Sequence, residues 1–478
     1  MTEHLYRFRS KNYMLEELQN QEIYFATRKE LNDPIEGFKD MFWNGDEVIW
    51  GNFFKHYLLC LEHVFNLFMI HGEDCKIDDS TIPVLKTAKD LPTKIYSDLY
   101  KEICELFLSN ETVKILLKSF VYRTNPMHQK ELCFYLKQLH LYALNTIFTV
   151  YEKHSIMPKR PDNDPLRQEG VRDFFDSYIT DWINDKEAEH LGIGDASEWF
   201  YAYVRNIYSQ HTLIIKYNSQ IHSTQKNWCF ILAEFHEKYI EQLEKLVHPE
   251  WYVASFSANC SNPSMWGHYG DHHKGICLKF RTNLFQGKPY IKLHRINGWS
   301  STKEKSGPIY GDVDHQFYKV DYTKRYPEID FFKSLGCITM PNLSEWYRDE
   351  KGNKSSCADV VYEDEEKWRD KYWADFQSGQ TTKLEDWSYE EEYRLILRQG
   401  MVNDFSGKTH RKLKYNFKAL EGIVFGIETP EQDKLEVIKI IEDKCHLENR
   451  NDFKFYQAYY SIKDGNIKTL EMNLLKFY

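Results

Sequence analysis

The sequence predicts an α+β fold split by a large helical insertion. Segments of β character lie at the two ends of the chain. Long apolar stripes with helical spacing fill the middle, and strands and helices never alternate as a parallel α/β sheet requires. The expected division is 1–48, 49–248 and 249–478, with the outer parts forming one domain and the middle part all-helical. Such insertions are tolerated where they leave through a surface loop.

Leu5 to Phe8 predicts the first strand, and Asn12 to Leu18 a short helix with Met14, Leu15 and Leu18 on one face. Glu22 to Thr27 (EIYFAT) is rich in aromatic and β-branched types and predicts a second strand. Asn32-Asp33-Pro34 is a turn, because Asp and Asn bond their own backbone and Pro presets φ. The stretches Tyr100–Phe120, Glu131–Tyr151 and Trp228–Val247 predict helices. In the last, Trp228, Ile231, Phe235, Tyr239, Leu243 and Leu246 form one stripe. Strand character returns at Tyr252–Ser257. A short polar helix or turn follows at Pro263–His273, then a strand at Gly275–Phe280. Thr282 to Lys383 is loop-rich. Tyr393–Leu397 and Ile423–Phe425 predict strands, Leu435–Ile441 a helix, and Phe453–Tyr460 a last strand.

With 33 Tyr, 30 Phe and 12 Trp, a disordered chain is excluded. Sixty-two basic against 72 acidic residues give a net charge of −10, which argues against a protein that coats nucleic acid. The basic runs Lys408–Lys418 and Lys292–Lys305 are expected to be solvated loops or hairpin edges. The ten cysteines form no closely spaced pairs and predict small buried side chains in a reducing compartment. No apolar stretch reaches signal-peptide or membrane-span length, so a cytoplasmic protein without membrane contact is expected.

Four segments carry a family likeness: Leu5–Arg9 (LYRFR), Ile23–Gly37 (IYFATRKELNDPIEG), Ser264–Phe280 (SMWGHYGDHHKGICLKF) and Trp387–Leu395 (WSYEEEYRL). Together, with Gly422–Gly426 (GIVFG) as a weaker fifth, they resemble the domain-of-unknown-function 2971 family. By position they also resemble the ADP-ribosyltransferases. That group carries an Arg or His on the first strand, a Ser-containing strand, and a Glu on a later strand. Arg7 and Arg9, then Ser255-Phe256-Ser257, then Glu390-Glu391-Glu392 follow this order. Phe256 stands where Thr is usual, and Glu391 is an alternative to either neighbour. A second alignment uses Tyr24-Phe25-Ala26-Thr27 as the middle motif.

The resemblance implies an ADP-ribosyltransferase-like split mixed β-sheet domain that takes NAD as substrate. Its acceptor would be an unidentified macromolecule, protein or nucleic acid, in a setting such as a toxin or antiviral defence effector. Breaking the nicotinamide–ribose bond develops an oxocarbenium-like cation, which a carboxylate near the ribose stabilises. Glu392 is expected in that role. Glu390, on the same face if on the same strand, is expected to act on the acceptor. Ser255 or Ser257 would hold the carboxylate, and Arg7 and Arg9 would meet the pyrophosphate. Arg394 would pair with the carboxylate or the ligand, and Tyr24 and Phe25 would stack on nicotinamide. Thr27, Trp266, His268 and Tyr269 are expected to face the substrate.

His268 and His272 are four apart, but no HExxH motif supports a metal site and none is expected. GxSxG, GxGxxG and GxxxxGK[ST] are absent. The readings kept beside the transferase are a non-catalytic NAD- or nucleotide-binding sensor and a protein-interaction module with the helical block as its working part. The sequence leaves the oligomeric state open.

Overall fold

Strands rich in aromatic and β-branched residues pair across the two ends of the chain. The computed structural model describes residues 3–164, 194–222, 226–301, 306–399 and 405–477. Two compact units form. The first comprises Met1–Phe38, Pro249–Pro327 and Asp375–Tyr478, and the second Lys39–His248 and Glu328–Ala374.

The first unit is mixed α and β. Its main sheet contains β1 (His4–Arg9), β2 (Trp251–Ser257), β3 (Ile276–Arg281), β4 (Tyr318–Lys319), β5 (Glu392–Arg398), β6 (Leu420–Phe425), β7 (Lys454–Ser461) and β8 (Asn466–Glu471). They lie in the order β4-β5-β2-β1-β3-β6-β7-β8. β6 and β7 are parallel, and such a pair needs a crossover. The helix Glu431–Leu447 between them supplies it. A second sheet is built on the hairpin of Lys288–Ser301 and Ser306–Gln316, with Lys412–Tyr415, Glu22–Tyr24 and Asn283–Phe285. Leu5, Phe256, Leu278, Leu395 and Ile423 from the main sheet share one core with Ile23, Ile291, Leu293 and Leu413 from the second. The helix α1 (Lys11–Asn20) adds Met14 and Leu18 to it.

The second unit packs its helices around a core rich in aromatic side chains. In the predicted stripe, Ile231, Phe235, Tyr239, Leu243 and Leu246 are buried and Trp228 partly so. A π-helical turn, Phe230–Glu234, interrupts that helix. The stretch read as one helix from Tyr100 to Phe120 is two, because Asn110 caps Glu111–Tyr122 by accepting a hydrogen bond from the Val113 N–H at 3.1 Å.

Three readings are corrected. Residues 328–374, expected in the split β domain, fall in the second unit. Glu328–Asp330 pairs with Asp40–Trp43, and Phe331, Phe332 and Trp346 enter the helical core. The middle part is not all-helical, since Met127–His128 pairs with Asp40–Trp43. Phe453–Tyr460 is not the last strand; β8 follows it. Part of the predicted insertion, 165–193 and 223–225, and the basic positions Lys303 and Lys305 lie outside the described residues. No helix among the described residues is long and apolar enough to cross a membrane.

The segment leading into β3 is tightly built. Asp271, His272 and His273 adopt φ of 51°, 53° and 68°, a left-handed run that costs non-glycine residues about 1–2 kcal/mol each. Backbone bonds hold it, among them His273 N–H to Trp266 O at 3.2 Å and Gly275 N–H to Gly270 O at 2.8 Å. A Cβ on Gly275 would lie 2.2 Å from the Arg9 carbonyl oxygen. Gly275→Ala is therefore expected to destabilise the protein by about 2 kcal/mol through overpacking, measured as a lowered midpoint in urea unfolding.

Candidate active site

A cleft opens where two strands of the main sheet part. β1 pairs with β3 along its whole length, from His4↔Arg281 to Arg9↔Ile276, but meets β2 only at Tyr6↔Ser257. A strand paired on both edges presents alternate residues to each face. Here consecutive residues, Tyr6 to Arg9 and Val253 to Ser257, line a cleft of about 550 Å³.

Arg7 spans the parted edges. Its Nη1 donates to Ser255 O at 3.3 Å and its Nη2 to Tyr24 O at 2.9 Å, while the guanidinium lies 5.2 Å from the centre of the Phe256 ring. It thus partners one carbonyl on β2 and one on the second sheet. Its Nε is 3.9 Å from Glu17 Oε2, too far for a hydrogen bond. Arg9 donates from Nε to Glu17 Oε2 at 2.5 Å.

Five buried charged side chains meet at the cleft floor. Arg394, fully buried at the centre, donates from Nε and Nη2 to the two oxygens of Glu392, at 3.0 and 2.8 Å. Its Nη2 also bonds Glu36 Oε1, and its Nη1 donates to Gln380 O at 2.8 Å. Lys383 Nζ is 2.7 Å from Glu390 Oε2, 3.5 Å from Glu36 Oε2 and 3.6 Å from Glu392 Oε2. The Tyr269 hydroxyl donates to Glu390 Oε1 at 2.6 Å.

Three carboxylates thus face two cations in a place that hides charge from water. Burial raises the pKa of all three, and the outcome depends on the partners. For Glu392, Arg394, Lys383 and the Ser255 hydroxyl overcome burial and hold it below the usual carboxylate range. Burial prevails for Glu36 and Glu390, whose pKa values are raised. One surplus carboxylate is thereby left with affinity for a proton or for positive charge in the cleft.

Glu390 and Glu392 converge, but not through strand periodicity. β5 begins at Glu392. Glu390 ends a 3₁₀ turn, and Glu391 between them is left-handed with φ 44°. Glu391 is exposed and accepts from Asn259 Nδ2 at 2.9 Å. Ser257 is opposite Glu392 in the β2–β5 register, and its hydroxyl donates to the Glu390 backbone oxygen at 2.8 Å. It fixes the turn rather than a carboxylate. Ser255 is exposed on the cleft wall.

Tyr24 and His268 also line the cleft. The Tyr24 hydroxyl donates to Glu30, and His268 Nδ1 lies 3.0 Å from the Tyr389 hydroxyl oxygen. Glu30 is partly buried, which raises its pKa. The Thr27 N–H, Arg411 and Tyr24 more than offset this and bring it down to about 2.

Three expected ligand contacts lie elsewhere. Phe25 is fully buried in the core between the two sheets, where its apolar ring belongs. Trp266 packs against Phe8 on the other face of the main sheet and donates from Nε1 to Cys260 O at 2.8 Å. Thr27 starts the turn Arg28–Glu30, its N–H and hydroxyl both donating to Glu30. The basic run at 408–418 is not wholly solvated either. Arg411 is buried and donates to Glu30 Oε2 at 2.9 Å.

Glu36 and Lys383 were missed. Glu36 follows the Asn32-Asp33-Pro34 turn, in which Asp33 Oδ1 accepts from Ile35 N–H at 3.0 Å and the Asp33 carbonyl from Glu36 N–H at 3.1 Å. Gly37 after it has φ +66°, and a Cβ there would lie 3.0 Å from Trp251. That turn was the available signal. Lys383 lies in Thr382–Leu384, whose partner Asp321–Thr323 is remote in sequence and gives no local pattern.

Residues 265–395 match the family described as Protein of unknown function (DUF2971). The match includes Tyr269, Lys383, Glu390, Glu392 and Arg394, and excludes Arg7, Ser255 and Glu36. No curated protein and no solved structure matches the chain.

Arg394→Met is expected to cost about 3–5 kcal/mol, because it leaves buried carboxylates uncompensated. Adding Glu392→Gln should recover part of the loss; chemical denaturation of the single and double variants measures both. Glu36→Gln tests the surplus charge. A carboxyl with a raised folded pKa contributes stability that is present below its unfolded pKa and lost as pH rises through the folded one. The variant should therefore lose less stability than the parent between pH 5 and pH 8, read from unfolding curves across that range.

Proposed function

We propose that the first unit is an ADP-ribosyltransferase-like domain that binds NAD as substrate and transfers ADP-ribose to a macromolecule, protein or nucleic acid. The observation that carries this reading is one cleft lined by Arg7, Ser255, Glu390 and Glu392. Its volume of about 550 Å³ lies within the range of small-molecule sites.

The surplus carboxyl group on the cleft floor, with its affinity for positive charge, suits the chemistry. As the ribose C1′–N bond breaks, its electron pair leaves with nicotinamide and positive charge develops on the ribose. Glu392, kept ionised by Arg394, faces that charge, and water-poor surroundings strengthen the attraction. The acceptor then bonds to C1′ and loses a proton. Ionised Glu390 takes it, its raised pKa making it a better base than an ordinary glutamate. Tyr269 and Lys383 hold Glu390 in place.

One observation favours a non-catalytic NAD sensor instead. Both oxygens of Glu392 are taken by Arg394, so a ribose hydroxyl must share them.

Pure protein incubated with NAD and cell extract is expected to release nicotinamide and leave ADP-ribose on an acceptor, both read by mass spectrometry. Glu392→Gln should lower the rate by about 10²–10³, the loss seen when one preorganised electrostatic group is removed. Calorimetric NAD binding without nicotinamide release would support the sensor. Absence of binding would overturn both readings.

A further inference from the structure

The second unit holds a cavity of its own. It measures about 190 Å³, room for about six waters at roughly 30 Å³ each. Leu59, Leu67, Pro83 and Leu91 are among its apolar walls, and Glu62 and Lys86 are among its polar lining.

Glu62 lies on the helix Glu47–His71 and is only 2% exposed. Its Oε1 accepts from the Tyr151 hydroxyl at 2.8 Å, and the same hydroxyl is 2.8 Å from Asn66 Oδ1. Oε2 has no hydrogen bond among the described residues. That oxygen is not wholly shut off from solvent, so a partner can reach it. Burial pushes the Glu62 pKa up to about 7, with the Tyr151 hydrogen bond opposing.

The other ionisable groups around it do not neutralise it. Asp90 is engaged by the Thr87 N–H at 2.7 Å and the Thr87 hydroxyl at 3.1 Å. Lys86 acts on His63, whose pKa is lowered by burial first and by that lysine second; it is not among the groups that set Glu62. Tyr96 and His63 share the lining. Tyr100, Cys104 and Tyr151 feel the Glu62 charge from neighbouring helices, and each has its pKa raised, chiefly by burial.

We propose that this cavity binds a small organic ammonium ion, its nitrogen on Glu62 Oε2 and its apolar body between Leu59, Leu67, Pro83 and Leu91. A cation there pairs with Oε2 in place of solvent and draws the proton off Glu62. Binding therefore strengthens as pH rises from 6 to 8, and is independent of any chemistry in the first unit.

The test is calorimetry of the full chain with benzylamine, in buffers of different ionisation enthalpy, with benzyl alcohol as the neutral counterpart. Near pH 7 about half a proton should be released per benzylamine bound, since the Glu62 pKa is about 7. Glu62→Gln, checked for folding by thermal unfolding, should lower affinity at least about tenfold, the loss of one charge-assisted bond. Leu91→Trp, which fills the cavity and spares the carboxyl, should block binding as well. Equal affinity for Glu62→Gln, equal affinity for benzyl alcohol, binding without proton release, or no binding at millimolar benzylamine would each overturn the proposal.

Discussion

The buried guanidinium of Arg394 is the contact on which the candidate site depends. It stands at zero exposure, bonded to Glu392, Glu36 and the Gln380 carbonyl. Those partners come from three separate parts of the chain, so one planar side chain orders a strand, a turn and the end of a helix. Arginine suits this task because its donors lie in a fixed fork, and it stays charged when buried. Lys383 extends the same arrangement to Glu390. Burying five charges is favourable only if nearly every donor and acceptor finds a partner, and that requirement sets the geometry of the floor.

A second constraint acts on the wall. β1 and β2 meet at a single residue pair and then part, which leaves backbone carbonyls without a ladder. Arg7 takes up one of them, Ser255 O, and also bonds Tyr24 O of the second sheet, so its side chain sits across the opening. Its expected role toward a pyrophosphate is narrowed by this, because two of its nitrogens are committed to the backbone. The cleft is thus a consequence of interrupted pairing, and the charged cluster is what its floor makes available to a ligand.

Much of the first unit was legible in the sequence. Tyr252–Ser257, Gly275–Phe280 and Tyr393–Leu397 are short and apolar with strand-forming residues; the first and third lie within strands, and the second does from Ile276 on. The long hairpin at Lys288–Ser301 and Ser306–Gln316 was not legible. Ile291 and Leu293 point inward, but polar residues, Pro289 and Gly298 blur the alternation along it. The split at Asn110 was hidden because the apolar stripes on either side keep helical spacing, and only the cap separates them.

From residue types and spacing alone, the chain determined its α+β class, the strand character of its ends, the helical stripes of its middle, and the presence of Arg7, Ser255, Glu390 and Glu392. Local propensity and periodicity suffice for these, since each is a property of neighbouring residues. Tertiary structure decided the remainder. It drew 328–374 into the helical unit, buried Phe25 and Trp266, and brought Glu36 and Lys383 against Glu390 and Glu392. Those outcomes depend on contacts between segments far apart in the chain, such as Glu36 with Arg394 across 358 residues, and no pattern in a local window records such a contact.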